Sequence, residues 1–337
     1  MNFKGAHILS IQPFEQQDIE AVFAVADAML PYARRQKATR VLEGAILGNM
    51  FFEASTRTRV SFGSAFNLLG GNVRETTGFE SSAIAKGESL YDTARVLSGY
   101  SDVICMRHPK AGSVREFSEA SRVPVINGGD GPNEHPTQAL LDLYTIRKEL
   151  SSKGRTIDGL RIAMIGDLKH GRTVHSLCQL LCLYNNIQVS LVSPKELSMP
   201  EYLVDSLRAA GHEVSVSEEL SSSISHVDIA YSTRIQEERF QSKEEADVYR
   251  GRFRLNQSIY TQFCEPNTVI MHPLPRDSRA EANELDSDLD KNPNLAIFRQ
   301  ADNGVVVRMA LFALVLDVVH LVDKHAYDVR WFVGNNR

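Results

Sequence analysis

The sequence predicts an α/β protein built from two domains, and three observations support this prediction. Its 337 residues exceed the roughly 100–200 that a single domain usually holds. Strand-like apolar runs alternate with segments of helical spacing, a pattern typical of parallel sheets covered by helices on both faces. A polar stretch containing Gly and Lys, residues 151–159, interrupts the alternation and indicates a linker. We therefore expect a boundary near residue 150.

In the first half, hydrophobic periodicity separates helices from strands. A turn-rich segment, 128–133, precedes Pro136, which is suited to a first helical position because its missing N–H costs nothing there. The predicted elements are a helix over 18–33, a strand over 44–52, a helix over 56–69, strands over 101–106 and 123–127, and a helix from Pro136 to residue 149.

The second half continues the same alternation of strands and helices. A long helix near the end of the chain, 304–321, could return over either domain. The other predicted elements are strands over 160–165, 188–192, 213–216, 229–231 and 269–271 and helices over 173–183 and 202–210.

Composition narrows the class of protein. Hydrophobic residues make up 43% and charged residues 23%, and the net charge of -5 argues against a general nucleic-acid binder. The four cysteines are too few for a disulfide framework, and none has zinc-ligand spacing with histidine, so we expect no metal. We identify no signal peptide and no apolar stretch of the ~20 residues that span a bilayer. These features predict a cytoplasmic protein that does not bind a membrane.

The most informative segment lies where the first predicted strand meets the helix that follows it. Ser55, Thr56, Arg57 and Thr58 follow a buried strand at the start of a helix. Amides at a helix N-terminus favour an anion, hydroxyls add donors, and an arginine can bind phosphate with two hydrogen bonds. An ordinary Ser/Thr cap with solvated arginines is the alternative. The density of donors favours a phosphate site.

Six segments occur in order along the chain: Ser55-Thr56-Arg57-Thr58-Arg59, Met106-Arg107-His108-Pro109, His135-Pro136-Thr137-Gln138, 166–173, Thr233-Arg234-Ile235-Gln236 and His272-Pro273-Leu274-Pro275-Arg276. Together, between about residues 5 and 325, they resemble the aspartate branch of the aspartate/ornithine carbamoyltransferase family. The resemblance implies two Rossmann-like α/β/α domains, with the C-terminal helix packing back toward the N-terminal domain. It assigns 1–148 to carbamoyl phosphate, 149–298 to aspartate and 299–337 to the returning helix and tail.

The resemblance implies a carbamoyl-phosphate site. Thr58, Arg107 and His135 would surround the carbonyl oxygen, where an oxyanion develops. Taken alone, His135 would more simply be a capping or core histidine. The implied catalytic residues are Arg57, Thr58, Lys86, Arg107 and His135. The implied carbamoyl-phosphate contacts are Ser55, Thr56, Arg57, Thr58, Ser82, Lys86, Arg107, His135, Gln138, Leu274 and Pro275.

The same resemblance implies an aspartate site. Segment 166–173 lacks the Gly-x-Gly-x-x-Gly spacing of dinucleotide loops, which makes a dehydrogenase unconvincing. Two separated guanidinium groups suit a dicarboxylate substrate. Considered by itself, Arg234 could equally be an arginine on a solvated face. Glu53 is a candidate partner of Arg172 or Arg234 if the domains close. The implied aspartate contacts are Lys86, Arg172, Arg234, Gln236 and Leu274.

The acceptor is expected to be aspartate, because Pro273 stands where ornithine enzymes typically carry cysteine. The implied reaction joins the carbamoyl group of carbamoyl phosphate to L-aspartate, the committed step of de novo pyrimidine biosynthesis, without a cofactor. Two alternatives remain: another amine acceptor such as ornithine or an acylated ornithine, or a non-catalytic homologue.

The expected assembly is a homotrimer with shared active sites. Ser82 and Lys86 lie in a loop that reaches the neighbouring subunit in this family, and Ile84 and Ala85 depart from its bacterial pattern. A regulatory chain is a possible partner.

Overall fold

The computed structural model describes residues 1–78, 87–237, 240, 242, 247–277, 279 and 282–333. The chain divides into two compact units, Met1–Thr137 with Asn303–Arg337, and Gln138–Asp302. These divisions fall within two helices, whereas the predicted boundaries lie after residues 148 and 298. The predicted domain boundaries stay predictions.

The described elements alternate as the sequence predicts. The helices are α1 (Gln16–Ala33), α2 (Thr56–Leu68), α3 (Leu90–Leu97), α4 (Ser113–Ala120), α5 (Pro136–Ser151), α6 (Arg172–Leu181), α7 (Glu201–Ala209), α8 (Leu220–Ser223), α9 (Gln257–Phe263) and α10 (Ile297–Val315). The strands are β1 (Ala38–Thr39), β2 (Ile46–Phe51), β3 (Asn72–Thr77), β4 (Val103–His108), β5 (Val125–Asp130), β6 (Arg161–Ile165), β7 (Gln188–Val192), β8 (Glu213–Ser217), β9 (Ile229–Ser232), β10 (Val269–Met271) and β11 (Ala326–Tyr327).

The first unit contains a four-stranded parallel sheet in the order β3-β2-β4-β5. Every residue of β4 and β5 is buried, which explains why continuous apolar runs predict these strands. The edge strand β3 was not predicted, because its sequence Asn-Val-Arg-Glu-Thr-Thr is polar and mostly exposed. Charged side chains on an edge strand discourage pairing with other chains.

The chain end from Asn303 belongs to the first unit, so the predicted return of the C-terminal helix is confirmed. Phe312 of α10 packs edge-on against Phe62 and Phe66 of α2, with ring centroids 6.0 and 5.0 Å apart. Beyond α10, β11 pairs antiparallel with β1.

The predicted bounds of this helix were wrong. It begins at Ile297, because polar residues in its first turns hide the apolar periodicity, and it ends at Val315. Asp317, with φ of 57°, stops it.

The second unit contains a five-stranded parallel sheet in the order β10-β9-β6-β7-β8. Its core includes Ala163 and Ile165 of β6, Ala230 of β9 and Ile270 of β10, all fully buried. The two parallel sheets and their helices confirm the predicted α/β class.

Among the described residues no single helix is long and apolar enough to cross a membrane. One pair bent by 102°, Ile297–Val315 with Val319–His325, meets the length and composition criteria together.

We expect Phe312→Ala to lower the free energy of unfolding by about 3–5 kcal/mol, because it removes a fully buried ring that packs against two others. Urea denaturation monitors the loss. Phe298→Ala on the same helix is the matched control: Phe298 is 56% exposed, and its loss is expected to cost less than about 1 kcal/mol. Equal shifts in the two variants would contradict this account of the core.

Candidate active site

The carboxyl ends of β2, β4 and β5 meet at one edge of the first sheet. Phe51 lies opposite Arg107 and His108 lies opposite Asp130. The N–H of Phe52 donates to the carbonyl of Arg107 at 2.9 Å, which continues the pairing beyond β2. Ligands of open parallel sheets gather at such an edge. The segments carrying Ser55, Arg107 and His135 therefore share it.

Ser55 stands at the N-cap position of α2 with an extended backbone, φ -162° and ψ 91°. Its side chain makes no capping hydrogen bond, unlike that of Ser89, which caps α3 by accepting from the N–H of Asp92. The first amides of a helix have no partner within it, so they and the Ser55 hydroxyl suit an anion. The ordinary capping alternative is therefore not what α2 shows.

The two arginines of this segment have different surroundings. Arg59 lies 3.3 Å from the Glu75 carboxylate on β3. Asn49 links the same pair, because its side-chain amide donates to the Arg59 carbonyl at 3.1 Å and to Glu75 at 2.8 Å. Arg57 is exposed at the start of α2. Arg59 thus has a structural role, and Arg57 is the candidate phosphate ligand.

Arg107 is held in place from two sides. Its Nη2 lies 2.7 Å from Oε2 of Glu53, and its Nη1 donates to the carbonyl of Gly128 at 3.2 Å. Only 9% of Arg107 is exposed, so both contacts are partly shielded from water. The sequence did not indicate this pairing, and the candidate pairing of Glu53 with Arg172 or Arg234 on domain closure stays a prediction.

A hydrogen-bonded turn leads from β5 to His135, which is buried directly before α5. The buried carboxylate of Asp130 accepts from the N–H groups of Gly112 at 3.0 Å and Glu134 at 3.1 Å. Gly131 has φ of 56°, and a Cβ there would lie 2.5 Å from the Pro109 carbonyl oxygen. These contacts fix the backbone of the turn from which the His135 side chain extends.

Burial also raises the pKa of Glu134 in this turn above its usual value. Its carboxylate accepts from the N–H of Ile11 at 2.9 Å, which ties the turn to the start of the chain.

The second unit has a corresponding edge at the ends of β6 and β9. Ile165 pairs with Ser232, so the loops carrying Arg172 and Arg234 leave neighbouring strands. The fully buried carboxylate of Asp167 accepts from the N–H of His170 at 3.0 Å and from the N–H of Gln236 at 3.2 Å. Asp167 therefore connects the two loops. Arg172, Arg234 and Gln236 are each half-buried.

The segment after β10 is anchored through its histidine. The N–H of Leu274 donates to Nδ1 of the buried His272 at 2.9 Å, and Leu274 has φ of 59°. The Leu274–Pro275 peptide bond is cis. Arg276 contacts Asp290 at 2.6 Å, so this arginine of the motif has a partner within the protein.

Two predicted site residues, Ser82 and Lys86, lie outside the described residues together with Ile84 and Ala85. The remaining assignments also stay predictions. The geometry gives Glu53, which the sequence suggested for Arg172 or Arg234, a contact with Arg107, and it adds Asp167 as a residue that holds two ligand-bearing loops together. No spacing in the sequence indicates the contacts of Glu53 with Arg107 or of Asp167 with Gln236, because each joins segments more than 50 residues apart in the chain.

The turn after β6 requires glycine at position 166, where φ is 113° and a Cβ would lie 2.3 Å from the Thr233 carbonyl oxygen. We expect Gly166→Ala to destabilise the second unit by more than about 2 kcal/mol, since strain and a backbone collision add. Gly211→Ala is the control, because Gly211 has φ of 84° with nothing within 4 Å, and about 1 kcal/mol is expected there. Thermal unfolding compares the two. A similar loss in both variants would show that the collision is relieved.

Two family models match successive parts of the chain. The family model for the aspartate/ornithine carbamoyltransferase carbamoyl-P binding domain matches residues 6–148, and that for the Asp/Orn binding domain matches residues 158–315. An aspartate carbamoyltransferase catalytic subunit from Cellvibrio japonicus is 81% identical over 332 residues, 98% of each chain.

Solved structures agree with these matches. Aspartate transcarbamoylase from Trypanosoma cruzi in complex with carbamoyl phosphate is 38% identical, with a TM-score of 0.84 over 93% of this chain and 97% of that chain. The same enzyme in complex with carbamoyl aspartate and phosphate has a TM-score of 0.82 at 38% identity, over the same shares of the two chains. The chain described here belongs to the aspartate/ornithine carbamoyltransferase family.

Proposed function

We propose that this chain transfers the carbamoyl group of carbamoyl phosphate to the amine of L-aspartate, giving N-carbamoyl-L-aspartate and phosphate. The observation that carries the proposal is the 81% identity to an aspartate carbamoyltransferase catalytic subunit across 98% of both chains. The Trypanosoma cruzi relative binds carbamoyl phosphate, and also carbamoyl aspartate with phosphate. The product belongs to pyrimidine biosynthesis.

Carbamoyl phosphate is assigned to the edge of the first sheet. The start of α2, with Ser55, Thr56 and Arg57, receives the phosphate. Thr58, Arg107 and His135 donate to the carbonyl oxygen as it gains negative charge. Because Glu53 and the Gly128 carbonyl already hold the guanidinium of Arg107, that donor needs little reorganisation when the charge develops.

L-aspartate is assigned to the loops of the second unit. Arg172 binds its α-carboxylate, and Arg234 and Gln236 bind its side-chain carboxylate. Asp167 supports this assignment, because it fixes the loop of Arg172 and the loop of Gln236 to one buried carboxylate. Leu274 and Pro275 offer backbone carbonyls to the carbamoyl NH₂ and the attacking amine.

The chemistry needs no dedicated protein base. The neutral amine of aspartate attacks the carbamoyl carbon, and the tetrahedral intermediate expels phosphate. An oxygen of the departing phosphate accepts the proton that the amine loses. Catalysis then depends on positioning two anions and on fixed positive charge.

The finer expectations about assembly and location remain part of this proposal. They comprise a homotrimer whose Ser82 and Lys86 act in a neighbouring subunit, a possible regulatory chain and a cytoplasmic location. The alternative of a non-catalytic homologue is disfavoured, since Ser55, Arg57, Arg107, His135 and Lys86 are all present.

We expect Arg57→Met to lower kcat/KM for carbamoyl phosphate by about 10²–10³, because the phosphate loses a charged donor and its leaving charge is less stabilised. Steady-state formation of carbamoyl-aspartate measures the effect. Arg59→Met is the control in the same helix turn: Arg59 already contacts Glu75, so less than about a tenfold loss of rate is expected. Near-normal turnover by Arg57→Met would refute the assignment.

The side-chain carboxylate of the acceptor is expected to be recognised by Arg234. Wild-type protein should prefer L-aspartate over L-asparagine, and Arg234→Met should reduce that preference about 10–100-fold, as expected for a lost charge-assisted hydrogen bond. Arg252→Met serves as control, since Arg252 contacts Glu218 on the surface at 3.0 Å. L-ornithine tests the rival acceptor directly, and faster carbamoylation of ornithine than of aspartate would overturn the proposed function.

A further inference from the structure

Asp142 is a fully buried carboxylate in α5 that the proposed mechanism does not use. Its Oδ1 accepts from the side-chain amides of Gln138 at 2.9 Å and Gln300 at 2.6 Å, and its Oδ2 accepts from the hydroxyl of Tyr231 at 2.7 Å. All four residues belong to the second unit. Burying a carboxylate costs several kcal/mol unless hydrogen bonds compensate it, and these three donors do so.

The contact with Asp142 determines which way the amide of Gln138 points. A carboxylate offers only acceptors, so the NH₂ of Gln138 must face it. Asp142 lies four residues after Gln138, one turn further along α5, where side chains meet. Gln138 is half-buried at the start of the helix, and its carbonyl oxygen Oε1 is therefore the group left to accept from a ligand.

The hydrogen bond between Asp142 and Gln138 is the first arm of this network. A second arm of hydrogen bonds runs from the same carboxylate to the segment after β10. The amide of Gln300 is oriented in the same way, with its NH₂ toward Asp142 and its Oε1 accepting from the N–H of His272 at 3.0 Å. Nδ1 of His272 in turn accepts from the N–H of Leu274. Asp142 thus also supports the backbone whose carbonyls are assigned to the carbamoyl group.

Both arms present acceptors, and this matches one feature of the substrate. The carbamoyl NH₂ is a donor with two hydrogens. A methyl group of nearly the same size, as in acetyl phosphate, offers none and would leave the acceptors desolvated and unpaired. A site built to hydrogen-bond a donor discriminates strongly against an analogue that lacks it.

We propose that Asp142 is a positioning residue that selects the carbamoyl group over an acetyl group, by orienting the amide of Gln138 and, through Gln300 and His272, the Leu274 backbone. The inference rests on the proposed function and deepens it. Asp142 itself touches no reacting atom in this account. Its effect is on which acyl phosphate is accepted.

The test compares carbamoyl phosphate with acetyl phosphate as donors to L-aspartate in purified full-length protein. The ratio of the two kcat/KM values is measured in wild type and variants, with competitive binding of the two acyl phosphates as a second readout. Asp142→Leu keeps the branched shape and removes both acceptors, and it should reduce the ratio about tenfold or more. Asp142→Asn keeps an acceptor at Oδ1 and should retain most of the preference.

Tyr231→Phe is the control, because it removes the hydroxyl that donates to Asp142 and also contacts Gln300, while the NH₂ groups of Gln138 and Gln300 keep the carboxylate that orients them. It should lower stability without changing the ratio. An equal fall in Tyr231→Phe and Asp142→Leu would indicate general loosening of the unit and overturn the proposal. Should Asp142→Leu not fold, Gln300→Leu, which breaks one arm alone, should lower the ratio several-fold, and an unchanged ratio would also overturn it.

A double-mutant cycle separates orientation from an independent effect. If Asp142 acts partly through Gln138, adding Asp142→Leu to Gln138→Leu should cost less than it does in wild type, and the remaining loss is the share that acts through Gln300. Multiplying losses would contradict the proposal. Failure of the proposed function can be distinguished from failure of this inference. In the first case wild-type protein would form no carbamoyl-aspartate, while competitive binding of the two acyl phosphates would still report the effect of Asp142.

Discussion

The parallel register of β2 with β4 is the constraint on which the candidate phosphate site depends. It sets Phe51 opposite Arg107 and lets the next amide, that of Phe52, bond the Arg107 carbonyl. A slip of one residue would turn the Arg107 side chain to the other face of the sheet. The buried apolar residues of both strands oppose such a slip. The core thereby positions a charged group that lies at its margin.

Carboxylates give the candidate ligands their orientation. The chain carries a net charge of -5, yet several of its assigned ligands for anions are arginines. Glu53 holds Arg107, and Asp167 holds the backbone between the two arginine loops of the second unit. Charges that are already oriented need not reorganise as the transition state forms, which is the main advantage of a preformed site.

Local patterns predicted the fold and the anion-favouring start of α2, and the family resemblance implied the other candidate ligands, whereas distant contacts escaped prediction. Buried strands such as β4 are continuous apolar runs, and Arg57 follows one at a helix start. The edge strand β3 looks like a loop because its residues are polar and exposed. Asp142 stands in the apolar run of α5 with only Gln138 as a partner close in sequence, and its other partners Tyr231 and Gln300 are 89 and 158 residues away. Only the folded chain reveals its role.

A glutamine amide discriminates poorly between donors and acceptors unless a contact prevents its oxygen and nitrogen ends from exchanging places. Its oxygen and nitrogen ends have almost the same shape, so packing alone would let it present either a donor or an acceptor. A carbamoyl and an acetyl group are also nearly equal in shape, so size cannot separate them. A buried carboxylate one helical turn away resolves both ambiguities, because it accepts only one end of the amide. Because Asp142 holds the NH₂ end of the Gln138 amide, the oxygen end is the one presented to the ligand.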